Sequence, residues 1–272
     1  MSFETYLAAR NAADYADFFI PHLAPNFHVM DVGCGGGSMT IGLARHAARV
    51  VGIDLDQQEF ASARLYATEH GLSNVEFQPG DVYTLAFPPD HFDACLCHSL
   101  LEALDRPLEA LKEIKRILKP GGVLGVASVE YGGLILAGPH EPLLRRFYHI
   151  RERLWLIDAG SDPYRGRTLR GLLQGSGFER VIATSKYFSY GTAQAVRMFG
   201  TGRAADCRDE WYAHAAQKYG LATSSDLDAM ENAWMEWSES PAAYAAFAWC
   251  RAVGWKPQPD NAQFLQARSS PA

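Results

Sequence analysis

A glycine-dense turn at residues 29 to 38 restricts the possible folds of this chain more than any other feature. Its sequence, V-M-D-V-G-C-G-G-G-S, closes an apolar run that begins at His28 and opens a helical pattern through Met39, Ile41 and Leu43. Glycines allow positive φ and a close backbone approach to a ligand, and the start of the following helix offers unpaired N–H groups. We therefore predict a strand, a tight loop and a helix that together hold a nucleoside or a phosphate.

Strand and helix patterns alternate along the chain after this loop. A second strand ends at Asp54, and Asp56 is expected to cap the helix that follows. Further strands are predicted at residues 75–78, 92–97, 123–129, 181–187 and 244–255. Helices are predicted at residues 38–46, 60–70, from about 107 to 118, and at 141–157 and 167–174. Such alternation with short connections predicts an α/β fold, with a mostly parallel sheet and helices on both faces.

Composition limits the classes of protein that fit. The 272 residues suffice for one large α/β domain with insertions or for two small domains. A hydrophobic content of 48% and a charged content of 21% are typical of a soluble globular protein. The formal net charge of −6 argues against a general nucleic-acid binder. A local group of arginines could either meet an acidic substrate or form a solvated helix face: Arg145, Arg146, Arg151 and Arg153.

Targeting and metal-binding signals are not apparent in the sequence. The N-terminus has no basic start followed by an apolar core, and no stretch approaches the ~18 apolar residues of a membrane helix. The five cysteines are scattered, without a C-x-x-C motif or a histidine at metal spacing. We expect a cytoplasmic protein with reduced thiols, no membrane span and no metal site.

Three spaced features indicate which ligand the loop holds. The first is D-x-G-x-G-x-G from Asp31 to Gly37, the second is Asp54 at a strand end, and the third is G-D-V at residues 80–82. All lie at the carboxyl ends of strands, where open α/β sheets bind ligands. Asp31 in front of the loop would repel a pyrophosphate but not a positively charged amino acid moiety. The set therefore favours S-adenosylmethionine (SAM) over a dinucleotide.

Together with L-K-P-G-G at residues 118–122, these motifs resemble those of the class I SAM-dependent methyltransferases. The resemblance covers about residues 28 to 130 and is nearest to the small-molecule group of the ubiquinone and menaquinone biosynthesis type. It implies a Rossmann-like sheet of seven strands whose last strand is antiparallel, with residues 181–187 and 244–255 as strands six and seven. It also implies helical insertions that form a lid over the acceptor.

The same resemblance assigns a cofactor site. Asp31 and the glycines would lie against the methionine part, Asp54 would bind the ribose, Leu55 would pack on the adenine, and Asp81 with Val82 would frame the adenine edge. Tyr6 is expected at the mouth of the site, and Tyr15 is an alternative there. The full predicted set for SAM and its product S-adenosylhomocysteine is Tyr6, Asp31, Gly33, Cys34, Gly35, Asp54, Leu55, Gln58, Asp81, Val82 and His98.

Catalytic residues are less well specified by the sequence. His98 ends the fourth strand and would face the sulfonium and the substrate, where it could act as a base or only contact the cofactor. Glu130 and Tyr131, at the end of the fifth strand, are comparable candidates, and Glu102, His140 and His149 are the others. The sequence C-H-S-L after strand four differs from the Asn-Pro-Pro-Tyr kind of motif, which argues against an adenine or glutamine N-methyltransferase.

The predicted organisation has a SAM-binding core with helical additions. Helices at residues 1–27 would cover the cofactor site, and residues 28–191 and 241–257 would form the core, with a lid insertion at 132–165. Residues 192–240 would be a helical lid behind a Ser224-Ser225 cap, and residues 258–272 a polar tail. The aromatic residues of the C-terminal part would line an acceptor pocket or form the core of the insertion.

We therefore expect a cytoplasmic SAM-dependent methyltransferase of secondary metabolism, acting on a small, apolar or aromatic metabolite at an O, N or C atom. No nucleic acid or membrane partner is expected, and the chain would be a monomer or homodimer. Alternatives are a SAM-fold enzyme of a non-methylating class (cyclisation or aminopropyl transfer), a non-catalytic ligand-binding protein of the same fold, and an NAD-dependent oxidoreductase.

Overall fold

A seven-stranded sheet forms the centre of the protein, in a computed structural model that describes residues 10–258. The strands are β1 His28–Val32, β2 Arg49–Asp54, β3 Val75–Pro79, β4 Phe92–His98, β5 Leu118–Ala137, β6 Glu179–Tyr190 and β7 Tyr244–Trp255. Their order is β3-β2-β1-β4-β5-β7-β6, and only β7 runs antiparallel to its neighbours. The predicted fold class, with its antiparallel last strand, is confirmed.

Helices cover both faces of the sheet. They are α1 Ala12–Tyr15, α2 Ser38–Leu43, α3 Phe60–Glu69, α4 Pro107–Ile117, α5 Glu141–Ile157, α6 Leu169–Gly175, α7 Ala193–Asp206, α8 Glu210–Lys218 and α9 Ser224–Glu239. Short 3₁₀ turns lie at Ile20–His22, Leu101–Ala103 and Arg165–Thr168. Val29 packs with Phe19 on one face, while its neighbour Met30 packs in a separate core with Leu111 and Ile114 of α4. The central strands are buried on both faces, which explains their continuous apolar runs.

Strand β5 is longer than the predicted 123–129 segment. Its pairing with β7 shifts register between Glu130 and Ile135 and then continues to Ala137. Glycines permit this irregularity: a Cβ on Gly133 would lie 2.5 Å from the Cβ of Ala248 on β7. Residues 132–137, expected to open the first lid insertion, are therefore sheet, and the helix α5 follows them.

The helical insertion packs around its own core. Trp234 and Trp237 of α9 are fully buried there, and Trp237 Nε1 donates to the carbonyl oxygen of Ala137 at the end of β5 (2.8 Å). This burial favours the interpretation of these aromatic residues as a core. The predicted Ser224-Ser225 cap is wrong, because Thr223 and Asp226 form a capping box at the start of α9.

Three other local predictions also need correction. The helix α2 ends at Leu43, not at His46. The predicted 167–174 helix divides into a 3₁₀ turn and α6. Asp56 does not cap α3, because its carboxylate accepts from the Gln58 N–H (2.9 Å), and the cap position is Glu59. Each error falls at an element end, where side-chain and turn hydrogen bonds compete.

Candidate functional site

The candidate site lies at the carboxyl ends of β1, β2 and β4. A cavity of about 210 Å³ opens there, beside the loop that joins β1 to α2. Its lining comprises Arg10, Asp31, Gly33, Cys34, Gly35, Ser38, Met39, Asp54, His98 and Ser99. Six of the residues predicted to bind the cofactor are thus brought together: Asp31, Gly33, Cys34, Gly35, Asp54 and His98.

The glycine loop needs its glycines for conformation and for space. Gly33, Gly35 and Gly37 have φ of 74°, 49° and 81°, which disfavour residues with a Cβ. A Cβ on Gly33 would lie 2.9 Å from Leu100 Cδ1, and one on Gly37 would lie 2.5 Å from the ring of Phe77. The loop therefore runs close to its neighbours and leaves backbone rather than side chains facing the cavity.

Asp31 is a buried carboxylate with one unused oxygen. It is 1% exposed, and its Oδ2 accepts from Thr40 Oγ1 (2.7 Å). Its Oδ1 has no hydrogen-bond partner among residues 10–258. Burial raises the pKa of Asp31 to about 7. A cationic donor in the cavity would supply the missing partner, so this residue suits the amino group of a methionine moiety and would repel a phosphate.

Asp54 is held by the backbone at the end of β2. Its Oδ2 accepts from the Gly35 N–H (2.8 Å) and its Oδ1 from the Asp56 N–H (3.0 Å). Leu55 is 73% exposed, and Gln58 is also exposed on the same turn. An apolar side chain presented to solvent beside an oriented carboxylate is consistent with a purine and its ribose. Tyr6 lies outside the described residues.

Asp81 and Val82 follow the neighbouring strand, β3. The β2 and β3 ends are joined by the Gly80 N–H, which donates to the Asp54 carbonyl oxygen (3.0 Å). Asp81 Oδ1 accepts from the Tyr83 N–H (2.9 Å), and Val82 is buried in the core with Ile53. Both residues lie next to the Asp54 turn, although neither lines the cavity itself.

His98 is enclosed by aromatic rings. Its ring stacks on Trp249 (4.7 Å between centroids) and meets Tyr15 edge-on (5.5 Å). Burial, with a contribution from Arg10, lowers the pKa of His98 to about 3. Its Nε2 has no hydrogen-bond partner in the described part of the chain. His98 is therefore a neutral side chain at physiological pH, with a free polar atom beside the cavity.

The other acidic candidates are engaged in structural contacts. Glu130 accepts from the Arg167 N–H (3.0 Å) and from the Gly132 N–H (3.1 Å), and it forms an ion pair with the Arg167 guanidinium (2.5 Å). Glu102 is buried, accepts from Ser128 Oγ (2.6 Å), and has its pKa raised by burial. Neither lines the cavity.

Surface histidines and four missed residues complete the account. His140 pairs with Glu236 (2.6 Å) on the surface, and His149 is exposed beside Glu152. The predicted cofactor set lacked Arg10, Ser38, Met39 and Ser99, which also line the cavity. Ser99 directly follows β4 and has φ of 59°, so its position after His98 was a usable signal, whereas nothing near Arg10 in the sequence indicated its role.

Metal-ligand clusters and membrane-spanning helices were sought among residues 10–258. Within residues 10–258, histidine, cysteine and acidic side chains do not form a group of three or more that could hold a metal ion. None of the helices in that range is long and apolar enough to cross a membrane.

Sequence comparisons match the region that contains this site. Residues 30–126 match the family described as methyltransferase domain. A probable methyltransferase, ltbC of Aspergillus luteorubrus, is 26% identical over 91% of this chain and 92% of its own length. The ubiquinone biosynthesis O-methyltransferase of Coxiella burnetii is 35% identical over 102 residues, which are 38% of this chain and 43% of that protein. The chain thus matches less than half of the second relative.

Solved structures with the same fold cover most of the chain. The YcgJ protein of Bacillus subtilis superposes with a TM-score of 0.61 at 17% identity, over 91% of this chain and all of that one. The [4+2]-cyclase SpnF superposes with a TM-score of 0.55 at 26% identity, over 91% of this chain and 82% of that one. The first comparison concerns the fold alone.

Proposed function

We propose that the protein is a SAM-dependent methyltransferase that transfers a methyl group to a small, apolar or aromatic metabolite, because residues 30–126 match the methyltransferase domain family and carry motifs that resemble those of the class I enzymes. The observation that carries this proposal is the buried, unpaired Oδ1 of Asp31 in the same cavity as Asp54 and the glycine loop. An anionic loop fits a cationic amino acid moiety, and it does not fit the pyrophosphate of a dinucleotide.

The cofactor of the family, SAM, supplies a methyl group on a sulfonium, which is a good leaving group. We assign Asp31 and the loop backbone to its methionine part, and Asp54 to the ribose hydroxyls. Leu55 would cover the adenine, with Gln58 nearby and with Asp81 and Val82 along its edge. The sequence-predicted residues Gly33, Cys34 and Gly35 would contact the methionine part, and Tyr6 stays a predicted contact.

The contribution of the chain itself is orientation and exclusion of water. Aromatic rings surround His98 beside the cavity: Tyr15 and Trp249 contact it, and Tyr15 stacks on Phe188 (4.0 Å). Such a group of rings would align a flat acceptor with the transferred methyl for in-line displacement. Because its pKa is lowered to about 3, His98 stays neutral and binds a proton weakly. It therefore serves as a hydrogen-bonding and packing contact rather than as the base that takes up the proton of the acceptor.

We propose a structural role for Glu130. A base has to release its existing contacts to take a proton, and both carboxylate oxygens of Glu130 are already held by Arg167. The insertion at residues 192–240 would act as the lid over the acceptor. The proposed protein is cytoplasmic, works as a monomer or homodimer, and belongs to secondary metabolism.

Isothermal titration tests the cofactor assignment. Wild-type protein should bind S-adenosylhomocysteine with a dissociation constant on the order of micromolar. Asp54→Asn should bind it at least about tenfold more weakly, because a charge-assisted bond to the ribose is lost. Asp56→Asn, an exposed carboxylate two residues away, is the matched control and should bind normally. Equal binding by all three proteins would contradict the assignment.

Product mass separates methyl transfer from cyclisation. The similarity to SpnF is the observation that keeps a cyclase as the second candidate. Incubation of the protein with SAM and a panel of phenols, catechols and aromatic acids should yield a product heavier by one CH₂ group, with release of S-adenosylhomocysteine. An acceptor that changes retention time without any change in mass would favour cyclisation instead.

A further inference from the structure

Two guanidinium groups share one carboxylate between α5 and α7. Arg151 Nη1 lies 2.8 Å from Asp206 Oδ2, and Arg203 Nε lies 3.1 Å from the same oxygen. In the described part of the chain, neither arginine has another carboxylate within ion-pair distance. The side chains of all three are less than one third exposed. This group, called here the arginine pair, therefore carries one uncompensated positive charge in a largely buried place.

Unsatisfied hydrogen-bond donors surround the arginine pair. The Nε atom of Arg151 is buried and forms no aligned hydrogen bond among residues 10–258, and Arg203 Nε faces Asp206 Oδ2 at 3.1 Å without an aligned hydrogen bond. The hydroxyl of Tyr148, which is 2% exposed, likewise forms no aligned hydrogen bond there, although the Arg203 side chain is within its reach. Burial raises the pKa of Tyr148, and the charges of Arg203 and Arg151 oppose that rise, so the phenol lies close to both arginines. Buried donors without acceptors are costly, and an anion would satisfy several of them together.

Aromatic rings form the remaining surroundings of the arginine pair. The Arg203 guanidinium lies 5.6 Å from the ring centre of Phe199, and that of Arg151 lies 5.9 Å from the ring centre of Trp211. Phe247 packs against both Tyr148 (5.3 Å) and Phe199 (6.1 Å). A ligand held by the arginines would therefore meet apolar and aromatic surface.

Strand β5 leads from the neighbour of His98 towards the arginine pair. His98 is aligned with Ala127 of β5, and Tyr131 is four residues further along that strand, about 13 Å away at 3.3 Å per residue. Burial of Tyr131 raises its pKa, and the charges of Arg151 and Arg203 oppose that rise, so its phenol lies near the pair. The distance suits a small aromatic molecule between the cofactor cavity and the arginines.

We propose that the arginine pair binds the carboxylate of the methyl acceptor, which is therefore an aromatic or apolar carboxylic acid. This inference rests on the proposed methyltransferase function. The net charge of one matches a monoanion, whereas a phosphate dianion would leave an excess negative charge in the same place. The planar guanidinium fork also matches a carboxylate geometrically.

The arginine group in the sequence is thereby divided in two. Arg145 and Arg146 are paired outward, with Glu141 (2.8 Å) and Asp226 (2.7 Å). Arg153 is exposed, whereas Arg151 is partly buried and pairs with Asp206 (2.8 Å). Of the two alternatives for this helix, a solvated face therefore describes Arg145 and Arg146, and an acidic substrate is the role proposed for Arg151.

A charge comparison with two probes tests the proposal. Isothermal titration with 2-naphthoate and its neutral isostere 2-naphthamide, in protein saturated with S-adenosylhomocysteine, should give a dissociation constant below about 1 mM for the acid and at least about tenfold weaker binding of the amide. Arg203→Met should weaken binding of the acid at least about tenfold and leave S-adenosylhomocysteine affinity unchanged. Arg197→Met, on the same helix with an exposed partner in Glu239, is the matched control.

Removal of the negative charge at Asp206 should have the opposite effect on the affinity for 2-naphthoate. Asp206→Asn leaves both arginines without a carboxylate, so it should tighten binding of 2-naphthoate and not that of 2-naphthamide. A network with only a structural role predicts no such gain. If thermal melting shows that Asp206→Asn does not fold, Arg203→Lys, which keeps the charge but loses the fork, should restore part of the affinity lost in Arg203→Met.

The outcomes separate this inference from the proposed function. Equal binding of the acid and the amide, or no binding of 2-naphthoate to protein that binds S-adenosylhomocysteine, would overturn the assignment of the arginine pair. Failure of the wild type to bind S-adenosylhomocysteine would instead refute the proposed function. The acid and amide titrations without S-adenosylhomocysteine would still report on the arginine pair in that case.

Discussion

Asp31→Asn should stabilise the cofactor-free protein at alkaline pH while weakening cofactor binding. The folded state holds the Asp31 pKa at about 7 because the carboxyl is buried, whereas the unfolded chain has a pKa of about 3.9. Because the pKa of Asp31 is higher in the folded state than in the unfolded chain, ionisation of this residue does not reduce the free energy of unfolding below pH 4. The free energy of unfolding then falls as the pH rises towards 7. At 1.36 kcal/mol per pKa unit, the ionised carboxylate costs the folded state up to about 4 kcal/mol at pH 8.

The same linkage predicts how the cost depends on pH. At pH 5 the carboxylate costs about 1.5 kcal/mol, so the difference between pH 5 and pH 8 is roughly 2–3 kcal/mol. Asn keeps the bond from Thr40 but carries no charge, so this pH dependence should disappear in Asp31→Asn.

Urea unfolding at pH 5 and pH 8 measures the effect, with Asp56→Asn as the exposed control. Asp31→Asn should gain about 2–3 kcal/mol more in the free energy of unfolding at pH 8 than at pH 5. Titration at pH 8 should show at least about tenfold weaker binding of S-adenosylhomocysteine, because the partner of the ammonium group is lost. A stability difference that does not change with pH, or a variant less stable than wild type at pH 8, would refute the reasoning.

Three further predictions concern the loop, the insertion and His98. Gly37→Ala should unfold at lower urea than Gly71→Ala: both have positive φ, but only the Cβ at Gly37 would lie 2.5 Å from the Phe77 ring, and nothing lies within 4 Å at Gly71. Trp237→Phe should lower the free energy of unfolding by about 1 kcal/mol, because the hydrogen bond to the carbonyl at the end of β5 is lost. Trp237→Ala should lower it by about 3–5 kcal/mol, because a cavity is left as well. Similar values for the two variants would contradict this separation of the two causes. In methyl-transfer assays between pH 5 and pH 8, His98→Gln should change the rate but not the shape of its pH dependence, because the pKa of His98 is lowered to about 3. If the substitution abolished a change of rate near neutral pH, His98 would be the base.

The cofactor side of the molecule could be predicted from the sequence because each part of it is local. Asp31 with its glycines, and Asp54, follow buried strands that are easily recognised from apolar runs. Parallel pairing brings the carboxyl ends of these strands to one edge of the sheet, so short separate motifs meet in one cavity. The long strand β7 was also predicted with its observed bounds, since its largely apolar run is interrupted by only one charged residue, Arg251.

The wrong predictions fall at positions where the sequence pattern is compatible with more than one local structure. Strand β5 passes Gly132 and Gly133 as an irregularity instead of ending there, because the pairing with β7 resumes beyond them. The capping residue of α9 is Thr223 rather than the serines after it, because Thr223 and Asp226 exchange hydrogen bonds reciprocally in the folded chain. Tertiary pairing and hydrogen bonding decide such points, and the local pattern does not contain them.

The sequence by itself determined the fold class, the identity of the cofactor and the strand ends that meet at the cavity, because adjacent residues encode all three. Only the tertiary structure decided the protonation of Asp31 and His98 and the engagement of Glu130 by Arg167. It also brought Arg151 of α5 into contact with Asp206 of α7, next to Arg203. The helix α6 and the strand β6 lie between these two helices in the chain. The physical reason is that a pKa or a net charge depends on burial and on neighbours that are distant in the chain, and folding alone brings those neighbours into contact.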